Sequence, residues 1–142
     1  MAGTCSGTGA GSDWPLPFSY QDLFEESLEP WLLTTSEGTV VRANRACTEL
    51  FGYTEAELCV LSRDALLDPT DPRVPAAIES RRRTGRFRGE VSLRRKDGTC
   101  FPAEASSAVF VDAEGFSFTS TWLRDLTEQK RIQNERDALL AA

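Results

Sequence analysis

Apolar residues along this chain change period several times, and each change marks a new element. Leu23, Phe24 and Leu28 recur at helical spacing within residues 17–29, with Ser19 as an N-cap and Pro30 as the stop. Two short runs of strand type follow, 31–35 and 39–43, joined by a Ser36-Glu37-Gly38 turn. From Asn44 the period is helical again. Asn44 suits an N-cap, Cys47, Leu50 and Phe51 share one face, and Gly52 suits the left-handed residue that ends a helix. Thr54 opens a second helix, and Glu57 completes a capping box. Residues 59–70 are less regular, with one helical turn near 64–67. Asp71 then caps a helix with Pro72 at its first position, Val74, Ala77, Ile78 and Arg81 on one face, and Gly85 at its end. Strand-type runs return at 87–95, 100–111 and 116–124, with turns at Asp97-Gly98 and 112–115. Every residue from Leu126 onward suits a helix.

This order lacks the strand–helix alternation of a parallel sheet and predicts an α+β fold: a five-stranded antiparallel sheet with helices on one face. Alternation turns Val91 and Leu93 inward, opposite Glu90, Ser92 and Arg94. Glu104 faces out, so Ala103, Ala105 and Ser107 face in. Three small side chains in a row leave room that either Phe51, Ile78 and their neighbours fill or a ligand occupies. For the last strand, pattern alone turns Phe116, Phe118 and Trp122 inward.

Composition narrows the function classes. The 142 residues are 40% hydrophobic and 27% charged, enough for one domain with a core. No apolar run approaches the roughly 20 residues that span a bilayer. The Gly- and Ser-rich residues 1–16 lack the apolar stretch of a signal peptide and are expected to be a disordered lead-in, so a cytoplasmic location without membrane contact is expected. There is no histidine, which removes the commonest general base and metal ligand. Cys5, Cys47, Cys59 and Cys100 form no C-x-x-C pair, and Cys47 reads as a small buried hydrophobe. Asp64, Asp68 and Asp71 have the spacing of loop and cap chemistry, and no phosphate-binding glycine loop is present. We therefore expect no catalytic residues and no metal site. Seven arginines and one lysine against Glu90 give residues 81–96 a charge of +7. The whole chain carries −6, so the remainder carries −13. Only Phe87 interleaves these arginines, so a solvated helix C-terminus is preferred over nucleic-acid binding.

The segment Asn44-Arg45-Ala46, then Phe51-Gly52-Tyr53-Thr54 and Glu57-Leu58, resembles PAS sensor domains. Lys96-Asp97-Gly98 before a strand and Asp125-Leu126-Thr127 at the strand-to-helix exit fit the same family, over about residues 20–131. The resemblance implies a strand order of 2-1-5-4-3 and a pocket between the inner sheet face and the short helices. It also turns Thr119, Thr121 and Leu123 inward, the reading preferred here. The implied pocket candidates are Leu32, Thr34, Phe51, Ile78, Val91, Leu93, Ala103, Ala105, Ser107, Thr119, Thr121 and Leu123. Trp31, Leu33, Phe110, Phe118 and Trp122 then share the outer face, too large an apolar patch to leave in water. Leu23, Phe24 and Leu28 or a second copy would cover it. This makes Leu23, Phe24, Leu28, Trp31, Phe118 and Trp122 interface candidates and a homodimer the expected assembly.

Light-sensing flavoproteins of this family, the LOV type, need the cysteine of Gly-x-Asn-Cys-Arg-Phe-Leu-Gln. The matching residues 60–67 place Arg63 there, and Cys59 is one helical turn away. Leu93, Ala103 and Leu123 stand where flavin-contacting amides belong. LOV photochemistry and His-ligated haem are therefore argued against, and the cofactor is left open. In this family the junction at Asp125 and Thr127 passes sheet movement into a helical linker, and Ile132 and Leu139 are seven apart, as a coiled-coil seam needs. The expected organisation is a lead-in at 1–16, a cap helix at 17–29, a PAS core at 30–125 and a linker helix from 126 to 142. The expected role is a non-catalytic sensory relay in a bacterial signalling protein. It would bind a small molecule and act on an effector in the same chain, such as the histidine kinase of a two-component system, a cyclase or a phosphatase. The alternative is a ligand-free dimerisation module.

Overall fold

The computed structural model describes residues 17–141; the expected lead-in at 1–16 lies outside the described residues. Strands β1 (Trp31–Thr35), β2 (Val40–Ala43), β3 (Arg86–Arg94), β4 (Cys100–Val111) and β5 (Ser117–Asp125) form one sheet in the order β2-β1-β5-β4-β3. Every neighbouring pair is antiparallel. Helices α2 (Arg45–Phe51), α3 (Glu55–Leu61) and α4 (Arg73–Thr84), with a 3-10 turn at Arg63–Leu66, link β2 to β3, and α5 (Thr127–Ala141) follows β5. The expected α+β architecture and strand order are those observed.

Local chemistry sets the breaks. Asn44 caps α2 by accepting the Cys47 N–H at 3.0 Å, and Gly52 ends it at φ 84°. Thr54 and Glu57 form a reciprocal capping box on α3. Asn44 does more than cap. It is fully buried, its Oδ1 also accepts the Trp31 N–H, and its Nδ2 donates to the carbonyls of Phe24 and Glu29. One amide thereby ties the N-terminal segment to the sheet with its donors and acceptor all used.

The inner face follows the period of two. Leu32 and Thr34 of β1, Val91 and Leu93 of β3, Ala103, Ala105 and Ser107 of β4, and Thr119 and Leu123 of β5 are all buried. Cys47, Phe51, Leu58, Leu66 and Val74 pack onto them from the helical side. Phe118 and Trp122 face outward, while Thr119 and Leu123 of β5 point in. The reason is register: Trp31 pairs with Trp122 across β1 and β5, and their rings stack at 4.1 Å.

Three expectations change. The N-terminal helix, α1 (Tyr20–Glu26), is shorter than residues 17–29. Ser27 turns extended, so Leu28 is 93% exposed and Leu23 is also exposed. Of the three residues expected to cover the outer face, only Phe24 does so, against Trp31 at 4.9 Å. Second, α4 begins at Arg73, with Pro72 before it rather than inside it. Asp71 still accepts the Arg73 N–H at 2.9 Å. Third, Asp68 and Asp71 are more than loop and cap groups. Ser92 on β3 donates its hydroxyl to Asp68 at 2.8 Å and its N–H to Asp71 at 2.7 Å.

Candidate functional site

Between the sheet and the helical layer lies a cavity of about 80 Å³. Its floor is Leu32 and Thr34 of β1, Thr121 and Leu123 of β5, Ala105 and Ser107 of β4, and Phe87, Val91 and Leu93 of β3. Its roof is Phe51 of α2, Arg63, Leu66 and Leu67 at the 3-10 turn, and Val74, Ala77, Ile78 and Arg81 of α4. Small side chains on β4 make the space, because Ala105 and Ser107 leave unfilled what a larger residue would take.

Ala103 and Thr119, expected among the lining residues, are buried without lining it. Each lies one step along its strand beyond the rows that bound the cavity, Ala105 and Ser107 on β4, Thr121 and Leu123 on β5. The other ten pocket candidates border it. Sequence reading missed the roof residues Arg63, Leu66, Leu67, Val74, Ala77 and Arg81, and Phe87 on the floor. For Val74, Ala77 and Arg81 a signal existed, since they share the α4 face with Ile78.

The polar groups on the walls are few and of one kind of charge. Ser107 and Thr121 share a hydrogen bond of 2.9 Å between hydroxyls. Arg63 and Arg81 are the charged residues on the lining, and no carboxylate is among it. The Arg63 side chain is only 17% exposed, and its Nε and Nη1 are buried without a hydrogen-bond partner among the described residues. Asp64 Oδ1 lies 3.8 Å from Nε, beyond hydrogen-bond reach. Burial, and secondarily the charge of Arg63, lower the affinity of Arg81 for its proton.

Backbone strain aims Arg63. Ser62, just before it, has φ 82° and ψ 168°, and it is the one non-glycine with positive φ among the described residues. That conformation costs about 1–3 kcal/mol. Arg63 N–H donates to the Gly38 carbonyl at 2.9 Å, and a Cβ on Gly38 would lie 3.0 Å from Arg63 Nε. Gly38, at φ 97°, thus serves both the β1–β2 turn and the passage of the guanidinium. The thiol of Cys59 points elsewhere, 3.7 Å from the Val41 carbonyl.

A second polar centre lies at the exit. Asp125 Oδ1 accepts the Thr127 N–H at 2.8 Å and the Thr127 hydroxyl, fixing the turn from β5 into α5. Its other oxygen lies 3.2 Å from Arg95 Nη2. Arg95 covers the Phe101 ring at 4.1 Å and donates to the Leu50 carbonyl, and Phe101 packs on Phe51 at 5.8 Å. Phe51 is a cavity wall, so the cavity and the exit are linked through four contiguous side chains. Sequence reading found Asp125 and Thr127 but not Arg95.

The expected basic cluster is dispersed. Arg82 pairs with Glu79, Arg88 with Glu104, Arg95 with Asp125 and Lys96 with Glu57, while Arg81 turns to the cavity. Among the described residues no group of histidine, cysteine, aspartate or glutamate side chains is placed to hold a metal ion, and no helix is long and apolar enough to cross a membrane.

The PAS-domain family model matches residues 29–128. The chain belongs to the PAS domain family. The matched span runs from just before β1 into the first turn of α5, so both the cavity and the exit fall within the PAS domain. Solved structures share this fold. A PAS domain from a two-component sensor histidine kinase is 17% identical, with TM-score 0.65, covering 75% of this chain and 92% of that one. A PAS domain from Colwellia psychrerythraea is 19% identical, with TM-score 0.69 and coverages of 77% and 95%. An RNA-binding light-oxygen-voltage receptor is 20% identical, with TM-score 0.75, covering 98% of this chain and 42% of that one. No curated protein matches the sequence at a significant level. PAS domains of this kind are sensory domains of signalling proteins, two-component histidine kinases among them, and are typically non-catalytic.

Proposed function

We propose that this PAS domain takes a small molecule into the cavity under α4 and relays occupancy through Asp125 and Thr127 to α5 and an effector in the same polypeptide. The carrying observation is the contact path from the cavity to the exit, Phe51 to Phe101 to Arg95 to Asp125. A ligand that displaces Phe51 shifts the stacked Arg95, and with it the partner of the carboxylate that holds the first turn of α5. Packed interiors respond to such displacement in discrete steps. The size of the cavity favours a compact ligand over haem or flavin. A cavity of about 150 Å³ takes one benzene, and this one is about 80 Å³.

A second reading is ligand-free dimerisation. It is favoured by Phe110 and Trp122, 44% and 37% exposed on the outer sheet face, and by Ile132 and Leu139, which are exposed on α5. In this reading the partner is a second copy and nucleic acid has no role. Native mass spectrometry of freshly purified protein separates the two. A bound mass lost on pocket filling by Ala105→Phe supports the sensor. A dimer that never carries extra mass supports the second reading.

A further inference from the structure

We propose that the cavity binds a short monocarboxylate, its apolar tail under α4 and its carboxylate on the guanidinium groups of Arg63 and Arg81. The inference rests on the sensor reading above and adds the chemistry of the ligand. Arg63 presents two buried donors, Nε and Nη1, that no described residue accepts from. Buried donors without an acceptor are costly, and the nearest carboxylate, the 80% exposed Asp64 at 3.8 Å, is too far to accept from them, so among the described residues the site is open to an acceptor that a ligand would bring. Arg81 brings a second positive group to the same cavity, and neither arginine faces a carboxylate on the lining. Like charges held together in a partly apolar space favour an anion between them.

Geometry supports a built site rather than a chance burial. The strained Ser62 and the Cβ-free Gly38 together direct the Arg63 side chain inward. Such strain persists where the surrounding structure imposes it. The planar guanidinium matches a carboxylate in a two-point contact. The remaining walls, Leu32, Ile78, Val91, Leu93 and Leu123, are apolar and suit an alkyl chain. The space of about 80 Å³ is about half of the benzene-sized cavity of about 150 Å³. That favours the shortest monocarboxylates and excludes fatty acids of membrane length.

The test is calorimetric titration of the whole chain with sodium acetate, propionate and butyrate at constant ionic strength, beside propionamide and inorganic phosphate. Propionate is expected to bind and to raise the melting temperature. Propionamide, of the same shape without charge, and phosphate, with charge but no tail, are expected to bind at least about ten-fold more weakly. Arg63→Gln and Arg81→Gln should each weaken propionate by about ten-fold or more. Arg63→Met should melt no lower than wild type without ligand, because two buried donors that no described residue accepts from have been removed. Equal binding of propionate and propionamide, or unchanged propionate binding by Arg63→Gln, overturns the carboxylate assignment while the sensor reading stands. Phosphate binding as tightly as propionate overturns the alkyl part. Binding by none of these compounds overturns the inference, and native mass spectrometry without any bound species would then remove the sensor reading as well.

Discussion

Arg95 and Asp125 are thirty residues apart in sequence and 3.2 Å apart in space, and their ion pair joins the β3–β4 turn to the start of α5. Asp125 is thus bound on two sides, by Thr127 in its own chain direction and by Arg95 from across the sheet. Both side chains are about one-third exposed, so the pair holds geometry more than it adds stability.

Asp125→Ala removes the Thr127 contacts and the Arg95 partner together. The domain should stay folded and lose about 1 kcal/mol, the scale of a lost cap or side-chain bond. Amide exchange in residues 126–140 should accelerate while the sheet stays protected. Arg95→Ala should loosen the same residues to a smaller extent. Unchanged exchange in both variants would reduce the junction to a simple helix start.

Asn44→Ala leaves the carbonyls of Phe24 and Glu29 and the N–H groups of Trp31 and Cys47 without their partner. The loss should reach about 2–4 kcal/mol in urea unfolding, combining a missing cap with orphaned buried groups. Asn44→Asp should be no better, because a carboxylate cannot donate to the two carbonyls.

Phe24 of α1 packs on Trp31, one ring of the Trp31–Trp122 stack. Phe24→Ala should shift tryptophan emission to the red and increase self-association. Leu28→Ala, at a 93% exposed site, should change neither. Equal effects from the two would mean that α1 does not cap the sheet.

The carboxyl of Asp68 is held at about 2 by Thr70, through its hydroxyl and N–H, and then by Ser92, against an ordinary value of 3.8. A depressed folded value means stability that is complete above the ordinary value and lost as pH falls toward about 2. Stability should therefore drop between roughly pH 4 and pH 2 in the wild type. Asp68→Asn should flatten that drop. Parallel wild-type and Asp68→Asn curves would show that these bonds do not hold in solution.

Burial pushes the Cys47 thiol up to about 12, with Glu55 adding to the effect. At neutral pH it should resist alkylation while exposed Cys59 reacts. Mass spectrometry after brief iodoacetamide treatment should find Cys47 modified only once the protein is unfolded. Rapid native labelling at Cys47 would mean that α2 opens readily.

The amino-acid sequence by itself determined the local chemistry. Asn44, Gly52, Thr54 with Glu57, Gly85 and Asp97-Gly98 cap or turn the chain within a few residues of themselves, so these caps and turns are legible from order alone, unlike the ties of Asn44 to Phe24, Glu29 and Trp31. The same holds for the alternation that buries Val91, Leu93, Ala105 and Ser107. Tertiary structure decided what depends on contacts between distant residues. In β5 the pattern alone favoured turning Phe118 and Trp122 inward, and only the family resemblance pointed the other way; in the structure Trp122 lies on the outer face, paired with Trp31. Ser92 became the anchor of Asp68 and Asp71, and Arg95 the partner of Asp125, because the sheet and the turns place them together. Arg81 shared the apolar face of α4, but nothing in the order of residues separated Arg63 from ordinary surface charge, since a solvated arginine and one directed into a cavity are the same letter. Only the strained turn at Ser62 and the packing of α4 over β3 separate them. A side chain's charge belongs to the sequence, but its desolvation and its partners belong to the fold.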